Sequence, residues 1–190
     1  MQRARADRFK RIIKIGLPIA VIVLAILFDQ LTKLYFRNNV DSTDYIWVIP
    51  NFFYLTYTVN TGAAWSFLSD VAWSQTFFKV LTCIALVVWI LFLIYSYRKG
   101  YKWLCYSLAL VIAGTVGNFI DRLIFNGVTD FLGFIFGNYY FPVFNLADSF
   151  LVVGVVMIII HYLFLDDNKV FVKKQDNDKK AEEKSDKNGN

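Results

Sequence analysis

The chain of 190 residues is 57% apolar and 18% aromatic, and its mean hydropathy of +0.45 is high for a soluble globular domain, where apolar residues make up about half. The formal net charge of +5 does not argue for nucleic acid, because no soluble stretch interleaves basic with aromatic residues. What remains is a small polytopic membrane protein with one membrane domain, its positive charge serving topology and attraction to anionic lipid.

The apolar residues fall in four blocks, each close to the ~17–25 residues that span a bilayer. Residues 12–28 form the first, IIKIGLPIAVIVLAILF, behind a basic start at residues 1–11. That pairing imitates a secretory signal, but DQLTK follows where a small-x-small cleavage site would stand, so a retained anchor is expected. Its helix is predicted to run on to about residue 36, with NNVDSTD as a polar turn after it. The next stretch, YIWVIPNFFYLTYTVNTGAAWSF, has the β-branched and aromatic composition of strand, with turn residues at Pro50-Asn51 and Asn60-Thr61-Gly62. A small aromatic sheet at headgroup depth is expected over about residues 40–66. Residues 77–95 and 103–120 form the second and third blocks. The glycine-punctuated segment FNGVTDFLGFIFGNYYFPVFN follows, in which DFLGFIF is too short for periodicity to separate strand from interfacial helix. Residues 150–165 form the last block, and the domain is taken as residues 12–166. Residues 167–190 are charged and almost free of apolar side chains, the composition of a disordered tail.

Lys and Arg set the expected orientation. They crowd the N-terminal segment, residues 98–102 (Arg98, Lys99, Lys102) and the start of the tail (Lys169, Lys173, Lys174). Both termini are therefore placed in the cytoplasm and residues 34–73 and 125–147 outside. Cys83 and Cys105 lie on antiparallel helices at depths differing by roughly 15–20 Å at ~1.5 Å per residue, too far for a disulfide, so both are expected to be buried packing residues. No Cys/His cluster has metal spacing.

Ionisable groups in or beside hydrocarbon are costly and therefore informative. Asp29 and Lys33 are four apart on one helix face, which suits either a structural ion pair or a site. Asn60 and Gly62 open NTGAAWS, either an ordinary turn into the second helix or a polar contact for an extended peptide. Asn118, Asp121 and Arg122 share a face of the third helix, and Asp130 follows in GVTDF. Asn145 and Asp148 stand at the start of the fourth helix, where an N-cap and a first-turn carboxylate would by themselves be an ordinary helix start. His161, the one histidine, lies near the other end of that helix and is expected to be a packing or interfacial residue. With no Ser-His or Cys-His arrangement, and no serine motif beside Lys33 or Lys79, carboxylate chemistry is left: two aspartates sharing a proton can activate water for amide hydrolysis. A proton-relaying transporter subunit and a scaffold with structural ion pairs remain as alternatives, and residue chemistry alone does not choose between Asp121 and Asp130.

DQLTK, NTGAAWS, GNFIDR, GVTDF and FNLAD, in that order over residues 29–149, together resemble the lipoprotein signal peptidase (signal peptidase II) family. The chain departs from the family pattern at Trp65, where Phe is more usual, and in its charged tail. The resemblance implies an all-α membrane fold of four transmembrane helices, with a small outer β-cradle and a short interfacial helix between helices three and four. It implies an aspartic endopeptidase whose catalytic pair is Asp130 and Asp148. Asp29, Lys33, Asn60, Gly62, Asn118, Asp121, Arg122 and Asn145 are implied as substrate-binding or supporting residues. The implied substrate is a bacterial prolipoprotein bearing diacylglycerol on a cysteine, cleaved just before that cysteine at the outer face of the cytoplasmic membrane. No metal or organic cofactor is expected; membrane phospholipid and globomycin-like inhibitors are the other expected partners, and the protein is expected to act as a monomer.

Overall fold

The computed structural model describes residues 2–62 and 73–165, with side chains from residue 16 onward. The basic N-terminal side chains, Trp65 and the charged tail lie outside the described residues. Among the described residues four helices are long and apolar enough to cross a membrane: α1 (Gln2–Asn39), α2 (Ser74–Lys99), α3 (Lys102–Phe125) and α4 (Leu146–Ile160), which continues as a π-helical turn over His161–Leu165. Each apolar block falls within one of them, the fourth including the π-helical turn.

α3 is the central helix and packs against the other three. Leu104, Leu108, Ala109, Val111 and Ala113 on it are wholly buried, whereas α2 turns Val80, Leu81, Ile84, Val87, Val88 and Leu91 outward. An apolar exposed surface of that kind is what lipid tails solvate. Close approach of the helices depends on small residues. A Cβ on Gly117 would lie 2.6 Å from the Asp29 Oδ2 atom of α1. Cys105 is buried as expected, but Cys83 is exposed on α2, and no disulfide joins them. His161 is buried against the Tyr101 ring, at 5.2 Å between centroids.

Outside the helices, the described residues form one antiparallel sheet in the order β1-β2-β3-β4: β1 (Ile46–Ile49), β2 (Phe53–Asn60), β3 (Val128–Phe136) and β4 (Tyr139–Phe144). This corrects two expectations. The described chain is not all-α, and the segment between α3 and α4 is a hairpin rather than an interfacial helix. Phe136 pairs with Tyr139 across a two-residue turn in which Gly137 has φ 62°, the positive φ a type II′ turn demands at its first central position. Aromatic and β-branched residues on either side then stack across strands, with Phe134 against both Phe53 (4.7 Å) and Phe144 (5.9 Å). The expected sheet therefore draws half its strands from beyond residues 40–66.

Candidate active site

Pairing of β2 with β3 sets Thr58 opposite Asp130 and Asn60 opposite Val128. The last residue of β2 thereby comes beside the aspartate of β3, and the Asn60 Nδ2 amide donates to Asp130 Oδ2 at 3.1 Å. A short link then leads from β4 into α4, whose N-terminus Asn145 caps. The Asn145 Oδ1 atom accepts from the Asp148 backbone N–H at 3.0 Å, and Asp148 Oδ2 accepts from the Asn145 N–H at 3.2 Å, a reciprocal capping box. The helix-start reading of Asp148 is thus correct as local structure, yet its other oxygen, Oδ1, accepts from the Asn118 side-chain amide at 2.7 Å.

Asn145 links the two carboxylates. Its Nδ2 group donates to Asp130 Oδ1 at 2.7 Å, while its backbone N–H serves Asp148. Both aspartates border a cavity of about 690 Å³ that is also lined by Asn60, Asn118 and Arg122. Apart from Ser149, the rest of the wall is apolar, from Val128, the segment Phe141 to Phe144, and Leu151, Val152 and Val153 of α4. Asp130 is only 3% exposed. Burial, and after it the nearby Asp148 carboxylate, push the Asp130 pKa up to about 7, against the opposing pull of the Asn60 and Asn145 donors and the charge of Lys33. The group therefore titrates in the neutral range, where it can both hold and release a proton.

Asp121 has different surroundings. It is fully buried and is absent from the cavity wall. Its Oδ2 atom accepts from the Thr129 backbone N–H at 2.8 Å and lies 3.5 Å from Arg37 Nη2 and 3.7 Å from Lys33 Nζ. Arg122, its sequence neighbour, points elsewhere: Nη2 donates to the Gly62 carbonyl at 2.9 Å, and the guanidinium lies 5.1 Å from the Phe78 ring centroid. Gly62 is held from the other side as well, its N–H donating to Asn60 Oδ1 at 2.9 Å.

Asp29 and Lys33 form the expected pair at 2.9 Å, both fully buried. They are also wired into the site. Asp29 Oδ1 accepts from the Ala147 N–H in the first turn of α4 at 2.9 Å, and Lys33 Nζ donates to Asn118 Oδ1 at 2.9 Å. Ten residues singled out in the sequence are therefore joined in a continuous set of contacts, with only Asp130, Asp148, Asn60, Asn118 and Arg122 of them reaching the cavity. Three participants were missed. Gln30 donates to the Gly117 carbonyl, Asp29 and Asp121; Arg37 donates to the Thr129 hydroxyl and lies over the Phe125 ring; Thr129 ties β3 to both α1 and α3. Arg37 follows Lys33 by four residues, so the helical spacing that singled out Asp29 and Lys33 was also the signal for it. No cluster of His, Cys, Asp and Glu able to hold a metal occurs among the described residues.

The family model described as signal peptidase (SPase) II matches residues 21–164. A lipoprotein signal peptidase of Listeria welshimeri is 43% identical over 150 residues, covering 78% of this chain and 94% of that protein. One of Pseudomonas putida is 41% identical over 163 residues, covering 83% and 91%. Among solved structures, a bacterial membrane enzyme determined by the in meso method at 2.3 Å resolution superposes with a TM-score of 0.68 at 36% identity, covering 82% of this chain and 95% of that one.

Proposed function

The chain belongs to the signal peptidase II family, proteases that remove signal peptides from prolipoproteins, and from that premise we propose that Asp130 and Asp148 are its reacting carboxylates. The transporter and scaffold readings fall with that membership. The observation that carries the assignment is the shared cavity: both carboxylates border it, Asn145 donates to both, and Asp121 is absent from its wall.

In the proposed reaction Asp148 is the ionised base and Asp130 holds the proton near neutrality. Asp148 removes a proton from water as its oxygen attacks the scissile carbonyl carbon. Asp130 donates to the carbonyl oxygen as that oxygen becomes negative. The tetrahedral gem-diol then collapses: the C–N bond breaks, the leaving amine takes the proton from Asp148, and Asp130 takes back a proton from one hydroxyl as the carbonyl re-forms. Arg122, whose Nε–H has no partner among the described residues, offers a spare donor for a peptide carbonyl. Asn60, Asn118 and Asn145 orient the pair, and Asp29, Lys33 and Asp121 hold the elements that carry it.

The substrate we assign is a prolipoprotein whose cysteine carries diacylglycerol, cut just before that cysteine. Support comes from the cavity wall, where Phe141, Phe144, Leu151, Val152 and Val153 suit acyl chains beside a polar cleft. The distribution of Lys and Arg supports an active site at the outer face with both termini in the cytoplasm.

The test is a gel-shift assay with a diacylglyceryl prolipoprotein in detergent or proteoliposomes. Asp130→Asn and Asp148→Asn are each expected to abolish cleavage, by at least about 10³-fold, while the proteins remain folded. Near-normal cleavage by either variant removes that residue from the pair. A globomycin-like cyclic peptide is expected to compete with the substrate for the cavity.

A further inference from the structure

Lys33 lies on α1, has no exposed surface and does not border the cavity, yet its ammonium contacts the amide that serves Asp148. An ammonium has three donors and no acceptor, whereas a primary amide presents a donor at one end and an acceptor at the other. Whatever atom of Asn118 faces Lys33 must therefore be the oxygen. That oxygen also receives the Asn145 Nδ2 donor at 3.1 Å, so turning the Asn118 amide over would set its NH₂ group against two donors at once. The only arrangement left points Nδ2 at Asp148 Oδ1, at 2.7 Å.

We propose that Lys33 is a positioning residue for the reaction: by locking the orientation of the Asn118 side chain, it obliges Asn118 to donate to Asp148 and so keeps that carboxylate in the proton-accepting form. The inference rests on Asp130 and Asp148 being the reacting pair. Without Lys33 only the Asn145 donor still opposes a turn of the Asn118 oxygen toward a protonated Asp148, so the lock is weakened and the proton-accepting form is reached only at higher pH. Among the described residues, the charged groups around the pair are Lys33, Asp29 and Arg37 from α1 and Asp121 and Arg122 from α3. β2 and β4 bring no charged side chain, and α2 directs Lys79 to Asn126 rather than to the pair. Asp29 neutralises Lys33 from 2.9 Å, so exchanging both weakens the lock with little change in net charge.

The experiment compares pH profiles of prolipoprotein cleavage for the wild type, Lys33→Met, the charge-neutral double variant Asp29→Asn/Lys33→Met, and Leu108→Ala, which is destabilised in α3 away from the cavity. Activities are taken per folded enzyme. In both Lys33 variants the acid limb of kcat is expected to move up by about one pH unit, a tenfold loss on that limb that is recovered as pH rises, with KM changed less than about twofold. Leu108→Ala is expected to keep the wild-type profile. A uniform drop in kcat at every pH, a shift in the single Lys33 variant that the double variant lacks, or an equal shift in Leu108→Ala would each overturn the proposal. Should Asp130→Asn or Asp148→Asn still cleave, it is the assignment of the pair that fails, whatever the Lys33 profiles show.

Discussion

At the scale of single residues the two buried aspartates at the end of α3 and in β3 are treated in opposite ways. Asp121 accepts a backbone N–H and lies within ion-pair distance of two cations, contacts that hold α1, α3 and β3 together. Replacing it by Asn leaves Arg37 and Lys33 short of a partner in a buried place, where breaking an ion pair costs about 3–5 kcal/mol. Asp121→Asn is expected to lower the yield of folded protein and its melting temperature in detergent. Unchanged yield with total loss of cleavage would mean that Asp121 belongs to the reacting pair instead. Asp130 is held protonated by burial and by Asp148, with its pKa raised to about 7 from an ordinary 3.8. A raised folded-state pKa makes the native protein bind more protons than the unfolded chain between those two values. The stability contributed by the protonated carboxyl is thus complete below about pH 4 and is lost as pH rises through about 7. Relative to the wild type, Asp130→Asn, which mimics the protonated form, is expected to gain melting temperature progressively over that range and to level off above it. A difference independent of pH would contradict the shift.

Among the elements, the contact of α1 with α3 sets how firmly Asp29 and Lys33 are held. Gly117 is the point where a side chain cannot be accommodated, since Asp29 is pinned by the Ala147 N–H and by Lys33 and has nowhere to move. Gly117→Ala is expected to destabilise the protein by about 1–3 kcal/mol through overpacking. Gly16, also on α1, has open space where its Cβ would be, and Gly16→Ala is expected to act in the opposite direction by about 0.5–1 kcal/mol. Thermal melting of the two variants side by side checks both signs. The β-hairpin between α3 and α4 shows why short elements were harder to read than long ones. Residues such as Phe131 and Ile135 fit a strand or an interfacial helix equally well as local sequence. Pairing with β2, together with the turn at Gly137, decides for strand. The four helices were legible because an apolar run of membrane length has few alternative fates.

For the whole molecule, the asymmetry of Lys and Arg makes a directional prediction. In a background lacking Cys83 and Cys105, a cysteine replacing the exposed Tyr140 of β4 is expected to react with a membrane-impermeant maleimide in intact cells. One replacing Lys99, at the end of α2, is expected to react only after permeabilisation. The reverse pattern would invert the proposed orientation and place the cavity in the cytoplasm.

Taken by itself, the sequence determined that the chain is a membrane protein, where its helices run, which polar residues are out of place in hydrocarbon and which family its motifs resemble. These follow from composition, length and short-range spacing, quantities that a linear pattern carries in full. Only the tertiary structure decided that the outer segments join in one four-stranded sheet, that Arg122 turns to Gly62 while Arg37 approaches Asp121, and that Asp130 rather than Asp121 borders the cavity with Asp148. Those outcomes depend on contacts between residues far apart in the chain. The direction in which the Asn118 amide points is of the same kind, because it is set by a lysine on α1 and by the asparagine that caps α4, which no spacing rule connects to it.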